Sequence, residues 1–171
     1  MSLPSVTEVL RAVGLIDATW FTDEGRERGS AVHRLIEADH YRYLDEIPDA
    51  YEPYVRAYRR FVVESGHEPL ITEVTLRHPV EGYVGHADRI GWLAGQRCLL
   101  DFKTGALGAV EPQLGGYRLA WQAMYPAAPI VILGAVALRA DGSYRFHEIE
   151  PARAEAAWLR AWQQYREEIA A

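Results

Sequence analysis

One cysteine, Cys98, and one lysine, Lys103, stand in a chain of 171 residues. A single thiol excludes an intrachain disulfide, a cysteine-held zinc site and a four-cysteine iron–sulfur cluster. Long apolar runs are also missing. The stretch around Ile130–Val136 falls well short of the ~20 residues that a membrane span needs. The opening Met1-Ser2-Leu3-Pro4 lacks a charged-then-apolar leader, so a cytoplasmic location with no membrane partner is expected. There is no internal repeat, linker or low-complexity tract. With 49% hydrophobic and 25% charged residues, disordered and collagen-like readings are excluded. The length suits a single domain over residues 1–171. Thr104–Gly108 is followed by no Gly-Lys-Ser/Thr, which excludes a Walker phosphate loop and ATP as a cofactor.

The net charge of −6 argues at first against a nucleic-acid partner. A local basic groove is still compatible with it, and carboxylates gathered around a cation inflate the acidic count. The 18 basic residues are 17 arginines and one lysine. The retained lysine marks a position where arginine does not substitute.

Periodicity predicts the elements. Ser5-Val6-Thr7-Glu8 reads as a capping box opening a helix that stops at Gly14. A second helix is predicted over about 28–43 and a third over about 52–65, with Tyr54, Tyr58, Phe61 and Val62 as its buried stripe. Arg56, Arg59 and Arg60 share another side of the third helix, as a solvated face or a phosphate-facing stripe. Strands follow over 71–76, 84–92 and 97–103, then a helix over 112–124. Strands over 130–138 and 143–149 flank an Asp141-Gly142 turn, and a helix opens at Pro151. The order gives an α/β fold, a mixed sheet with helices packed on it.

The central hairpin carries the chemistry. With Ala94-Gly95 as a two-residue loop, opposed residues sum to 189, which sets Asp88 against Asp101. Opposed like charges are destabilising, and a pair is kept cheaply only by a shared proton or a cation between them. Lys103 lies one step along on the side of Asp101. Two carboxylates and an ammonium on one patch suit a metal-and-water site; an exposed face with a surface ion pair is the plainer alternative.

Asp88, 12 intervening residues, then Asp101-Phe102-Lys103 resembles the PD-(D/E)XK nuclease signature. Leu99-Leu100-Asp101-Phe102-Lys103-Thr104-Gly105 is similar to its RecB-type exonuclease branch. Gly29-Ser30-Ala31-Val32-His33 resembles that branch's upstream motif, and Gln113-Leu114-Gly115-Gly116-Tyr117 its downstream one. The resemblance implies a restriction-endonuclease-like core and a metal-dependent DNA nuclease of recombination or repair, active on DNA ends. It implies His33, Asp88, Asp101 and the Phe102 carbonyl as ligands of magnesium or manganese. It further implies that Lys103 orients the attacking water and that Gln113 and Tyr117 complete the catalytic set. Glu73 is implied as an active-site acid, with a structural ion pair as the alternative. Relatives carry an iron–sulfur cluster, which this chain cannot hold.

Glu37, four residues after His33, shares its helix face as a supporting partner or as a solvated residue. His86 shares a face with Asp88 and reads as packing. Gly115 and Gly116 weaken a helix, so DNA, another backbone or plain helix–sheet packing comes close there. A non-catalytic scaffolding subunit and a nuclease acting on RNA stay open as other functions. A recombination or helicase partner protein is a further expectation.

Overall fold

The computed structural model describes residues 3–17 and 22–170. Ten elements follow one another: α1 (Val6–Ala12), α2 (Asp23–His40), α3 (Glu52–Ser65), β1 (Glu68–Arg77), β2 (Val84–Leu93), β3 (Gln96–Lys103), α4 (Val110–Met124), β4 (Ile132–Leu138), β5 (Tyr144–Ile149) and α5 (Pro151–Ala170). The order of helices and strands is the one the periodicity implies. The Ser5–Glu8 capping box is formed on both sides. The boundaries of α2 differ from expectation. It starts at Asp23, because the Thr22 side chain caps the Gly25 N–H at 3.0 Å, and it ends at His40 rather than Tyr43.

The strands form one mixed sheet in the order β1-β2-β3-β4-β5. Only β3 and β4 are parallel, and α4 makes their crossover. The β2–β3 turn has φ of 50° at Ala94 and 74° at Gly95, as a two-residue type I′ hairpin requires. The register follows: Leu93 pairs with Gln96, and Arg89 with Leu100.

Side-chain alternation on β3 sorts the two layers. Cys98, Leu100 and Phe102 pack with α2 and α3 residues such as Val32, Tyr58 and Phe61. Leu99 packs on the other face with α1, α4 and α5, among Val9, Leu114 and Trp158. Asp101 and Lys103 share the parity of Leu99 and so rise on the α4 side. The alternation predicted for 71–76 breaks at Glu73, where φ is +49°. Thr72 meets Tyr41, just past the end of α2, at 3.1 Å, whereas Val74, two residues on, packs with the α1–α4–α5 layer. Left-handed backbone at a non-glycine residue is costly and collects at functional sites. Here it turns the Glu73 carboxylate out of the strand's regular alternation.

The two glycines of α4 are explained by α5. A Cβ on Gly115 would run into the backbone carbonyl of Ala154, and one on Gly116 would lie 2.8 Å from the Trp158 ring. Of the readings left open by the sequence, close approach of another backbone is realised at Gly115, and helix–helix side-chain packing at Gly116. Gly115→Ala is expected to cost about 3 kcal/mol despite better helix propensity, lowering Tm by about 6–12 °C. Calorimetric melting checks this; an unchanged Tm would mean the helices can separate freely.

Candidate active site

The C-terminal end of β3 brings a carboxylate and an amine into contact. Asp101 is 1% exposed. Lys103 Nζ donates to its Oδ1 at 3.1 Å and lies 2.8 Å from Oδ2. That second oxygen is buried and receives no hydrogen bond of good geometry. Nζ also reaches Gln113 Oε1 at 3.5 Å, and Gln113 Nε2 donates to the Tyr117 hydroxyl at 2.9 Å. Gln113 and Tyr117 are four residues apart, so one face of α4 presents both. Burial pushes the Tyr117 hydroxyl up to about 12, so it stays protonated. Burial opposes the Lys103 ammonium, yet the charges of Asp101 and Asp88 outweigh it and raise its pKa.

Asp88 stands one step past the last ladder pair, Arg89–Leu100. Its Oδ2 accepts the Phe102 backbone N–H at 2.8 Å. The carbonyl of Phe102 lies 2.9 Å from His33 Nε2, so one peptide segment ties Asp88 to α2. His33 Nδ1 faces Asp88 Oδ1 at 3.5 Å and Glu73 Oε1 at 3.8 Å. One ligand atom from each of His33, Glu73 and Asp88 lies within 4.8 Å of the others. Asp101 falls outside that trio, with its carboxylate turned to Lys103. Burial, then the charge of Asp101, pushes the Asp88 carboxyl up to about 7. Burial disfavours the His33 imidazolium, but Glu73, Asp88, the Phe102 carbonyl and Asp101 prevail and raise it to about 9.

Beside this cluster opens a cleft of about 800 Å³ between the first turns of α2 and the segment after β3. Arg28, Ser30, His33, Lys103 and Thr104 are in its wall. The Arg28 Nε is buried with no hydrogen bond, and its guanidinium lies 5.9 Å from the Tyr54 ring. Sequence reasoning missed the cleft and Arg28. The available signal was Arg28-Gly29-Ser30 on the turn of α2 just ahead of His33.

Other candidates sit elsewhere. Arg56 pairs with Glu52, Arg59 with Asp39 and Arg60 with Glu64. Arg56 lies against the Gly142 turn, and Glu64 also takes the Tyr144 hydroxyl, so this side of α3 faces the β5 edge. Glu37 shares the α2 face, but the acids beside His33 come from the strands. His86 is exposed and meets Thr75 Oγ1 at 3.2 Å rather than packing in a core.

The donor set fits a hard divalent cation. The cluster offers two carboxylates and one imidazole, with the Phe102 carbonyl and the Asp101 carboxylate alongside. Asp101 Oδ2 is buried with the Lys103 ammonium 2.8 Å away but no well-aligned hydrogen bond, and the acids hold a protonated His33 where a cation's charge would serve. His33 makes this testable without substrate. Its folded pKa, about 9, exceeds the ordinary 6.5. The native state then binds more protons between those values, so its contribution is full below pH 6.5 and is lost as pH rises through 9. In chelator, urea stability is expected to fall by on the order of 2 kcal/mol from pH 6.5 to 9.5, and His33→Ala should flatten the decline. Parallel profiles for the two proteins would contradict the assignment.

No family model and no curated protein matches the chain. Among solved structures, a protein from Eubacterium rectale provisionally described as an exonuclease aligns over 94% of this chain and 71% of its own. Its TM-score is 0.56 at 10% identity. An alkaline exonuclease from Laribacter hongkongensis aligns over 97% of this chain and 89% of its own, with a TM-score of 0.41 at 17% identity. The same enzyme in complex with dAMP aligns over 98% and 90%, with 0.40 at 16%. The five-stranded mixed sheet flanked by helices is thus an α/β fold that this chain shares with the Eubacterium rectale protein.

Proposed function

We propose that this chain is a metal-dependent DNA nuclease of the PD-(D/E)XK type and its RecB-type branch, working from DNA ends. The observation that carries the reading is the convergence of His33, Glu73, Asp88, Asp101 and Lys103, from α2 and three strands, beside an arginine-bearing cleft whose wall includes His33 and Lys103. The Eubacterium rectale protein's description as an exonuclease favours action at ends. A scaffold would gain nothing from burying acids whose charge is so poorly matched.

His33, Glu73, Asp88, Asp101 and the Phe102 carbonyl are the groups that would hold magnesium or manganese. Such an ion supplies Lewis-acid polarisation of the phosphodiester and a water of lowered pKa. The chain's own residues do the rest. Arg28 places positive charge in the cleft for the phosphate backbone. The Lys103 ammonium, fixed between Asp101 and Gln113, orients the attacking water and offsets charge gathering on the phosphoryl oxygens. Tyr117 holds the Gln113 amide. Water oxygen bonds to phosphorus, the P–O3′ bond breaks, and the products are a 5′-phosphate and a 3′-hydroxyl.

The test compares linear DNA, covalently closed circles of the same DNA, and RNA of matching sequence, each with magnesium or manganese. Linear DNA should be consumed while circles survive. Rapid cutting of circles would make the enzyme an endonuclease, and preferential loss of RNA would move the substrate class.

A further inference from the structure

Arg89 follows Asp88 on β2 and enters the layer under α2 and α3. It is 1% exposed. Its Nε and Nη1 are buried and make no hydrogen bond, and it has no ion pair among the described residues. A buried guanidinium left so poorly matched is expensive. Its contacts are aromatic. The guanidinium carbon lies 5.5 Å from the Tyr58 ring centroid and 5.8 Å from that of Phe102, and the Tyr58 hydroxyl is also against it. The two rings meet edge to face at 5.4 Å. Tyr58 belongs to α3, so Arg89 joins that helix to the Phe102 side chain.

Phe102 is the residue whose main chain organises the site. Its N–H goes to Asp88 and its carbonyl to His33. Its ring packs in the layer under α2 and α3 while its peptide groups bond Asp88 and His33, so whatever fixes the ring fixes the peptide. We infer that Arg89 is a positioning residue for the nuclease reaction, its planar cation clamping the Phe102 ring so that the Phe102 peptide holds Asp88 and His33 in place. Cation–π contact strengthens as water is removed, which accounts for a cation kept in a core layer where an apolar side chain would pack as well. Lysine carries the charge but not the delocalised plane that stacks on rings. The inference rests on the proposed function only for its kinetic arm.

The variants are Arg89→Met and Arg89→Lys. The readouts are amide hydrogen exchange of Phe102 in chelator, melting, and single-turnover cleavage of linear DNA. Replacing a buried unpaired charge by a packed apolar chain is often neutral or stabilising, so Arg89→Met should keep its Tm. Exchange at Phe102 should quicken about tenfold or more in both variants, with Leu99, in the ladder beside Ile90, unchanged. Cleavage should slow about 10- to 100-fold, with KM within about twofold. Should Arg89→Met fail to fold, Arg89→Lys decides. Phe102 exchange or cleavage within about twofold of the unmodified protein in either folded variant would overturn the inference. So would faster exchange at Phe102 and Leu99 together with a lowered Tm, which marks general loosening. Absence of cleavage by the unmodified protein would instead overturn the proposed function, and the exchange arm would still decide the role of Arg89.

Discussion

Asp101→Asn should lower cleavage of linear DNA by about 10³-fold or more while the protein stays folded. Asparagine keeps the shape of the buried side chain, and its oxygen can still accept from Lys103. What it removes is the charge. Asp101 is the carboxylate that fixes Lys103, which donates to its Oδ1 at 3.1 Å and lies 2.8 Å from its buried Oδ2. It also raises the Asp88 carboxyl, so the substitution should let Asp88 ionise at a lower pH. The measurement is a single-turnover rate on labelled DNA, with melting in parallel to establish folding. Cleavage at the unmodified rate by a folded Asp101→Asn would remove Asp101 from the site.

Lys103→Arg should be nearly as inactive as Lys103→Ala, each slower by about 10²–10³-fold. The amine occupies a confined position, between the Asp101 carboxylate and Gln113 Oε1 at 3.5 Å. A guanidinium is longer and planar, and satisfies a carboxylate through a two-pronged contact rather than as a compact point charge. It would displace Gln113, and with it the hydrogen bond to Tyr117. The comparison separates charge from shape, since both variants lose the compact amine and only one loses the cation. Lys103→Arg retaining more than about a tenth of the unmodified rate would mean that charge alone suffices there.

The parts of the fold set by short-range physics were legible in the sequence. Apolar periodicity, the Ser5–Glu8 capping box and the Ala94-Gly95 loop give element order and hairpin register, because each depends on residues a few positions apart. The clustering of Asp101, Lys103, Gln113 and Tyr117 could likewise be anticipated, two by strand alternation and two by helix spacing. What depended on distant partners was hidden. No local pattern announces the left-handed Glu73, which reverses the face of β1 and delivers its carboxylate to His33. Gly115 and Gly116 have their reason in Ala154 and Trp158, about 40 positions on. The three arginines of α3 resemble a phosphate-binding stripe in isolation, but Glu52, Asp39 and Glu64 already match their charge. The sum-to-189 register was sound, yet Asp88 bonds the Phe102 N–H where the ladder ends.

The most direct test of the central claim is one incubation series with end-labelled linear DNA. The unmodified protein and Asp101→Asn are each run with magnesium, with manganese and with chelator, and the released nucleotides are resolved by length. Release of 5′-phosphorylated products by the unmodified protein with either ion, and by neither protein in chelator, is the result this site requires. Cleavage that persists in chelator, or that Asp101→Asn performs equally well, would contradict it.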